Sequence, residues 1–337
     1  MQRNASGFYH DPPLWVEGSP IDYGSDGMPN FESFRDEIFR QKLANGIEIK
    51  VTREGLFLFG FADWAPGVFP DEHNGLPADF NSQAEVILHR TNVMNAFLAF
   101  LYTNEQIIDN FSSETMVVTP ELIISLHDLD HTDMGFGNSR VSRLALSSYP
   151  STYQSSLPYV FDDRVSMRGR TISIAVIKRT VDDLESLITN LSVDGILLVD
   201  LFIRASKSYH DHNYSSALIT YWAITEKLLQ ELWKRYQDDN RLRRDAVFIS
   251  DERRKRLNDG RTFTAAVISE ALSFADYIDY DLYYKMSNVR KIRNDWMHSQ
   301  KVVSSNNAQT ATDVCERLLL LVHGIKLYGQ KGLTLHG

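Results

Sequence analysis

The stretch SNVRKIRNDWMHS, from Ser287 to Ser299, lies in a segment whose apolar residues have helical spacing. These apolar residues are Leu282, Met286, Val289 and Ile292. Intervals of three and four place all of them on one face of an α-helix. The pattern predicts a helix over about residues 281–297 that buries one face and exposes the polar residues between.

Three polar residues of this helix form a chemically distinctive set: Arg293, Asn294 and His298. An imidazole takes up or releases a proton near neutral pH, and a guanidinium can stabilise a pentavalent phosphorus by two hydrogen bonds. Asn294 is a candidate to orient the phosphate or the imidazole. These residue types are what metal-independent RNA cleavage needs.

The spacing of Arg293 and His298 limits how the two side chains can cooperate. Five positions along an ideal helix separate their directions by about 140°. One regular helix therefore does not bring both onto a single phosphate. We expect either a distorted helix or a second subunit.

Working outward, residues after about 194 are almost entirely of helical period. Helices are predicted over about 194–209, 213–237, 263–275, 281–297 and 308–328. The charged stretch 237–258 is predicted as a long loop or extra short helices. An antiparallel bundle is the simplest fold for these segments.

The preceding half has a different pattern, with β-branched and aromatic runs separated by turn residues. GIEIKVTREGLFLFGF, residues 46–61, predicts a hairpin with Gly55 in its turn. A helix is predicted from Asn81 or Ser82, with Val86, Val93, Phe97, Phe100 and Leu101 near one stripe. Further strands are predicted over 116–119, 122–126, 140–146, 159–162 and 171–178, followed by a short connecting helix near 181–188. We therefore predict a multi-domain chain, with an α+β domain over 1–185 and an all-α helical bundle over 194–330.

Composition restricts the possible functions. The 337 residues carry a net charge of -9, which argues against indiscriminate nucleic-acid binding but permits a local basic patch. Cys315 is the single cysteine, so intrachain disulfides and all-cysteine zinc sites are excluded. The first residues lack the apolar core of a secretory signal, and no apolar run reaches membrane-spanning length. A cytoplasmic protein without membrane contact is expected.

The sequence R-N-x-x-x-H at 293–298, close to the end of a helical region, resembles the R-x(4–6)-H signature of HEPN domains. The pattern of Ala217, Trp222, Glu226 and Leu229 in the segment 214–233 is similar to the long second helix of ApeA-type HEPN domains. That helix often carries an acidic residue facing the active site. The resemblance covers about 130 residues and adds Glu226 to the candidate catalytic set.

The resemblance implies a metal-independent endoribonuclease without a cofactor, active as a homodimer whose two motifs line one cleft. The ribose 2′-hydroxyl would attack, leaving a 2′,3′-cyclic phosphate. By analogy, the expected setting is prokaryotic antiviral defence, with the protein acting as an abortive-infection toxin on tRNA or mRNA. The first domain would sense a trigger or restrain activity. Gln300 stands where toxins silenced by tyrosine modification carry their tyrosine, so such a switch is not expected here.

Other interpretations of the main motif remain open. The helical domain could be a non-catalytic module for RNA binding or dimerisation. Arg293 could pair with Asp295 or Glu226 at a capped helix end, and Glu226 could serve only in an internal salt bridge. A metal-dependent hydrolase centred on Asp128, Asp130 and His131 is the third reading, although a turn rich in Asp explains that stretch better.

Several smaller features have a functional and a structural interpretation. His210 and His212 could be ligands, but Asn213 beside them suits a helix cap. The basic runs 241–244 and 253–256 could follow a phosphate backbone or form solvated loops. Tyrosines could stack on bases or serve packing, namely Tyr277, Tyr280, Tyr283 and Tyr284. Cys315 is expected to be buried and inert.

Overall fold

A computed structural model describes residues 4–10, 14–17, 36–61, 80–110, 113, 115–126, 128–130, 170–243 and 246–329. The chain divides into two compact units, Met1–Asp200 and Leu201–Gly337. A strand-rich N-terminal region is followed by a helical C-terminal region, as the change of sequence pattern predicts.

The strands of the first unit are β1 (Ala5–Tyr9), β2 (Leu14–Val16), β3 (Glu37–Lys42), β4 (Glu48–Thr52), β5 (Leu56–Gly60), β6 (Ile124–Leu126) and β7 (Arg170–Ile172). Five of them form an antiparallel sheet in the order β3-β4-β5-β1-β6. The other two, β2 and β7, pair in parallel. β1 to β3 were not predicted, because runs as short as three to six residues carry little periodicity.

The predicted hairpin is confirmed as β4 and β5, whose registered pairs include Val51 with Phe57. Gly55 in its turn has a φ of 73°, which a residue with a Cβ rarely adopts. A Cβ there would also lie 1.8 Å from the carbonyl oxygen of Leu14. Glycine is therefore required at this position on two independent grounds.

Two long helices follow in the chain, α1 (Phe80–Ile108) and α2 (Ile174–His210). The first belongs to the first unit, and the division between the units falls within α2. The predicted stripe of α1 is buried at Val93, Phe97 and Leu101, each at most 1% exposed. The predicted strand over 171–178 is wrong beyond Ile172, since a short apolar run fits a buried helix equally well.

The predicted connecting helix and the helix from 194 are one continuous element, α2. An internal glycine such as Gly195 costs only about 1 kcal/mol relative to alanine, and the apolar pattern on both sides outweighs it. The strand predicted over 116–119 does not form. The strand predicted over 122–126 is shorter than expected and corresponds to β6. The predicted strands at 140–146 and 159–162 lie outside the described residues.

The second unit contains α3 (Tyr214–Asp239), β8 (Leu242–Arg243), β9 (Ala246–Val247), α4 (Asp251–Leu257), α5 (Ala265–Phe274), α6 (Tyr280–Ser299) and α7 (Ser305–His323). α3 is central and contacts α5, α6 and α7. Its buried side includes Tyr221, Trp222 and Leu229, each at most 3% exposed. The short helix predicted within 237–258 is α4, accompanied by the small β8-β9 hairpin that was not predicted.

The N-terminus of α6 is fixed by Asp279, whose carboxylate accepts the backbone N–H of Leu282 at 2.8 Å. Arg317 of α7 donates to Asp279 at 2.7 Å and to Asp281 at 2.6 Å. The pKa of Asp279 is lowered, first by the Leu282 N–H and then by Arg317. The cap residue of α6 thus also connects this helix to α7 through Arg317.

We expect Asp279→Ala to lower the free energy of unfolding by about 1 kcal/mol, as N-cap removal commonly does. Asp279→Asn is the matched control, because Asn still caps but loses the ion pair with Arg317, and it should cost less. Since the folded pKa is depressed, the carboxylate stabilises the fold above the ordinary Asp pKa and loses this effect as pH falls through the folded value. Urea unfolding of wild type, Asp279→Ala and Asp279→Asn at pH 7 and pH 3 measures this contribution to the free energy of unfolding. Equal stability of Asp279→Ala and wild type at pH 7 would contradict the role of Asp279 as a cap.

Within the described part of the chain, none of the helices has the length and apolar character that crossing a bilayer requires.

Candidate active site on the motif helix

The motif lies on α6, which is one unbroken α-helix from Tyr280 to Ser299. Leu282, Met286 and Val289 are at most 3% exposed, so the predicted apolar face is confirmed at these three residues, whereas the fourth, Ile292, is only half-buried. The helix ends at Gln300, whose φ of 50° is left-handed. Of the two expectations for Arg293 and His298, helix distortion is therefore wrong, and about 140° separates the two side-chain directions within one chain.

A cleft of about 920 Å³ lies between α3, α6 and the start of α5. Three of the four candidate residues line it: Glu226, Arg293 and Asn294. The fourth, His298, is exposed and is not part of the cleft wall. The chain thus brings together the cation, the amide and the carboxylate, and it leaves the imidazole in solvent at the helix end.

Arg293 is partly buried and makes one side-chain hydrogen bond, from Nη1 to Oδ1 of Asn294 at 3.1 Å. Among the described residues no carboxylate lies within ion-pairing distance of it; Asp295 pairs instead with Lys301 at 3.2 Å. Asn294 therefore orients the guanidinium. Most N–H donors of the Arg293 guanidinium therefore have no protein acceptor among the described residues. The alternative interpretation, in which Arg293 forms an ion pair at a capped helix end, is not seen there.

Glu226 lies on α3 and faces this cleft. It forms no ion pair with any residue in the described ranges, so the internal salt bridge considered for it is not seen there. Three cations line the cleft, Arg290, Lys291 and Arg293, against the two carboxylates Glu226 and Asp295, an excess of one positive charge. This balance favours a ligand with negative charge.

The motif alone does not single out the remaining lining residues of α6. They are Tyr284, Ser287, Asn288, Arg290, Lys291 and Asp295. Most recur at intervals of three or four, so a polar stripe at helical spacing is the signal that identifies them. Tyr284 is 62% exposed and stacks on Tyr280 with ring centroids 6.4 Å apart. By contrast, the Tyr277 hydroxyl donates a hydrogen bond to Asp239, and the Tyr283 hydroxyl donates one to Glu270.

The alternative metal centre receives no support from the residues that can be described. Asp130 pairs with Arg40 at 2.7 Å, and its N–H bonds to the carboxylate of Asp128 at 2.9 Å, which is the predicted Asp-rich turn. His131 lies outside the described residues. In the described ranges no group of three potential metal ligands occurs.

The two histidines before α3 lie at a helix junction, His210 as the last residue of α2 and His212 in the turn that follows. Asn213 caps α3 by accepting the N–H of Ser216 at 3.2 Å, as predicted. His212 bonds through Nδ1 to the Tyr214 hydroxyl at 2.7 Å. The basic run 253–256 lies within α4. There Arg254 forms an ion pair with Asp238, and the guanidinium of Arg253 lies over the ring of Phe248.

Cys315 is fully buried in α7, and this burial raises the pKa of its thiol. We expect the folded protein to resist thiol reagents, because the reactive thiolate is both inaccessible and disfavoured. Titration with a chromogenic disulfide should detect almost no free thiol before denaturation and one per chain afterwards. Rapid stoichiometric labelling of the folded chain would contradict this burial.

No match to this chain is found among models of protein families, curated proteins or solved structures.

Proposed function

We propose that the helical unit is a HEPN-type domain and that the protein is a metal-independent endoribonuclease acting as a homodimer. The observation that supports this most is the cleft lined by Arg293, Asn294 and Glu226, with its excess of cations and a guanidinium that pairs with no carboxylate of the described residues. A guanidinium free of carboxylate partners can bind a phosphodiester and stabilise the charge that develops during its cleavage.

In the proposed reaction the ribose 2′-hydroxyl attacks the adjacent phosphorus, and the bond to the 5′-oxygen breaks. The products are a 2′,3′-cyclic phosphate and a 5′-hydroxyl. Arg293, oriented by Asn294, stabilises the phosphorane, while His298 of a second copy exchanges protons with the attacking or leaving oxygen. Glu226, which lines the same cleft, would lower its positive charge.

A second candidate is a helical module that binds RNA or dimerises without cleaving. The exposed position of His298 outside the cleft favours it, because a single chain lacks an assembled acid–base pair. The predicted setting in antiviral defence, and a sensing or restraining role for the first unit, are part of our main proposal. The aromatic and Gly-rich composition of residues 59–75 suggests a binding surface, and this stretch lies almost entirely outside the described residues.

Incubation of the purified chain with total RNA distinguishes the two candidates. The nuclease should shorten RNA with time, and its activity should fall steeply with salt as phosphate contacts weaken. A binder should give a salt-dependent mobility shift with RNA that stays intact. Intact RNA at every salt concentration and incubation time would reject the nuclease proposal.

A further inference from the structure

One residue that lines the cleft, Trp222, carries a buried indole N–H for which the described residues supply no acceptor. The Trp222 side chain is 3% exposed, and its Nε1 has no hydrogen-bond partner in the described part of the chain. Trp233 on the same helix is also 3% exposed, but its Nε1 donates to the carbonyl of Leu257 at 2.9 Å. Native proteins rarely leave a buried N–H unpaired unless a ligand, an ion or a water supplies the acceptor.

A second donor in the same wall is in the same state. Nε of Arg293 is buried and has no hydrogen-bond partner among the residues that the structure describes, although Nη1 of the same side chain donates to Asn294. Trp222 comes from α3 and Arg293 from α6, so two different helices each contribute to the lining of one cleft a residue with a buried, unpaired N–H group. Both lack an acceptor oxygen.

The first turn of α5 adds a third set of donors. Thr264, Ala265 and Ala266 line the cleft, and the side chain of Thr264, the N-cap residue, makes no capping hydrogen bond. The first N–H groups of a helix have no intrahelical acceptor, and the helix dipole makes this end favourable for an anion. With the excess of cations, the cleft is complementary to a group carrying several negatively charged oxygens.

We propose that this cleft is a phosphate-binding site in which the Trp222 indole N–H and Arg293 Nε donate to phosphate oxygens, beside the N-terminus of α5. Trp222 is thereby a substrate-binding residue and not only part of the core. Identifying the phosphate as that of an RNA phosphodiester rests on the proposed function. Phosphate binding itself does not.

Nitrogen-edited proton spectra of the full chain test this proposal through the indole N–H of each of its five tryptophans. Trp222→Phe identifies the resonance of residue 222 by its loss. Inorganic phosphate should shift that resonance saturably while the resonance of Trp233 stays in place. A 2′-deoxy dinucleoside monophosphate, which cannot be cut through a 2′-hydroxyl, should do the same if the source is a phosphodiester; a shift with inorganic phosphate alone supports a site for free phosphate.

A benzothienyl analogue at position 222 provides the matched variant, because it keeps a bicyclic aromatic ring and replaces the N–H by a sulfur atom, which cannot donate a hydrogen bond. It should bind phosphate about 10- to 150-fold more weakly, the usual range for one hydrogen bond to a charged group. In RNA cleavage it should raise KM more than it lowers kcat, and its thermal unfolding should match that of wild type.

The outcomes separate the two proposals. A Trp222 resonance that moves with phosphate while RNA stays intact supports the binding site and rejects the nuclease. Cleaved RNA together with an unmoved Trp222 resonance, or an analogue with wild-type affinity for phosphate, overturns the role of Trp222. No phosphate binding at all also overturns it.

Discussion

Arg293→Ala and His298→Ala should each abolish measurable RNA cleavage while the chain keeps its fold. Loss of one group that stabilises transition-state charge commonly costs about 10²- to 10³-fold in kcat, and loss of a general acid or base about 10²- to 10⁴-fold. Arg293→Lys should recover only part of the activity, since an ammonium keeps the charge but lacks the fork of donors.

Matched controls separate chemistry from folding in this experiment. Arg261 is an exposed arginine of the same unit outside the cleft, and His210 is a histidine away from the motif. Their alanine variants should cleave like wild type, and circular dichroism should be unchanged in all four proteins. Full activity and unchanged product ends in both Arg293→Ala and His298→Ala would show that the site is assigned wrongly.

The second large effect concerns the subunit that supplies each side chain. Because α6 is regular, Arg293 and His298 of one chain point about 140° apart, and we expect the working pair to combine one residue from each copy. A heterodimer of Arg293→Ala with His298→Ala then has one site that lost both residues and one site that is intact. It should retain about half of wild-type activity, as expected for two equivalent sites related by a two-fold axis.

Purification through two different affinity tags, one on each variant, isolates this heterodimer for the assay. The two homodimers, purified in the same way, are the controls and should be inactive. An inactive heterodimer whose composition is verified by native mass spectrometry would contradict a site shared between chains. A fully active monomer on dilution would contradict it as well.

Helical spacing in the C-terminal half predicts the elements that form the site. Three of the four predicted apolar residues of α6, Leu282, Met286 and Val289, are buried as expected, and Asn213 caps α3. In the N-terminal half, β4 and β5 were predicted because Gly55 marks their turn, whereas β1 and β2 are too short to show a period. The strand predicted over 171–178 is mostly helix in the structure, because a short apolar run does not distinguish a buried strand from a buried helix.

The candidate site was only partly predictable, for a physical reason. Arg293 and Asn294 follow from the motif, and Glu226 follows from the family resemblance. The free N–H of Trp222 and the uncapped first turn of α5 depend on which acceptors tertiary packing brings near them. Trp222 and Trp233 have the same residue type, helix and burial, yet only Trp233 meets a carbonyl. No pattern in the chain distinguishes them.

The most direct test of the central claim is the chemistry of RNA ends formed in the presence of excess chelator. A short RNA is incubated with the purified full chain, beside the same RNA carrying 2′-O-methyl groups throughout. We expect cleavage of the unmodified RNA alone, leaving 2′,3′-cyclic phosphate and 5′-hydroxyl ends. RNA that remains intact until a divalent metal is added, or cleavage of the methylated RNA, would contradict a metal-independent attack by the ribose 2′-hydroxyl.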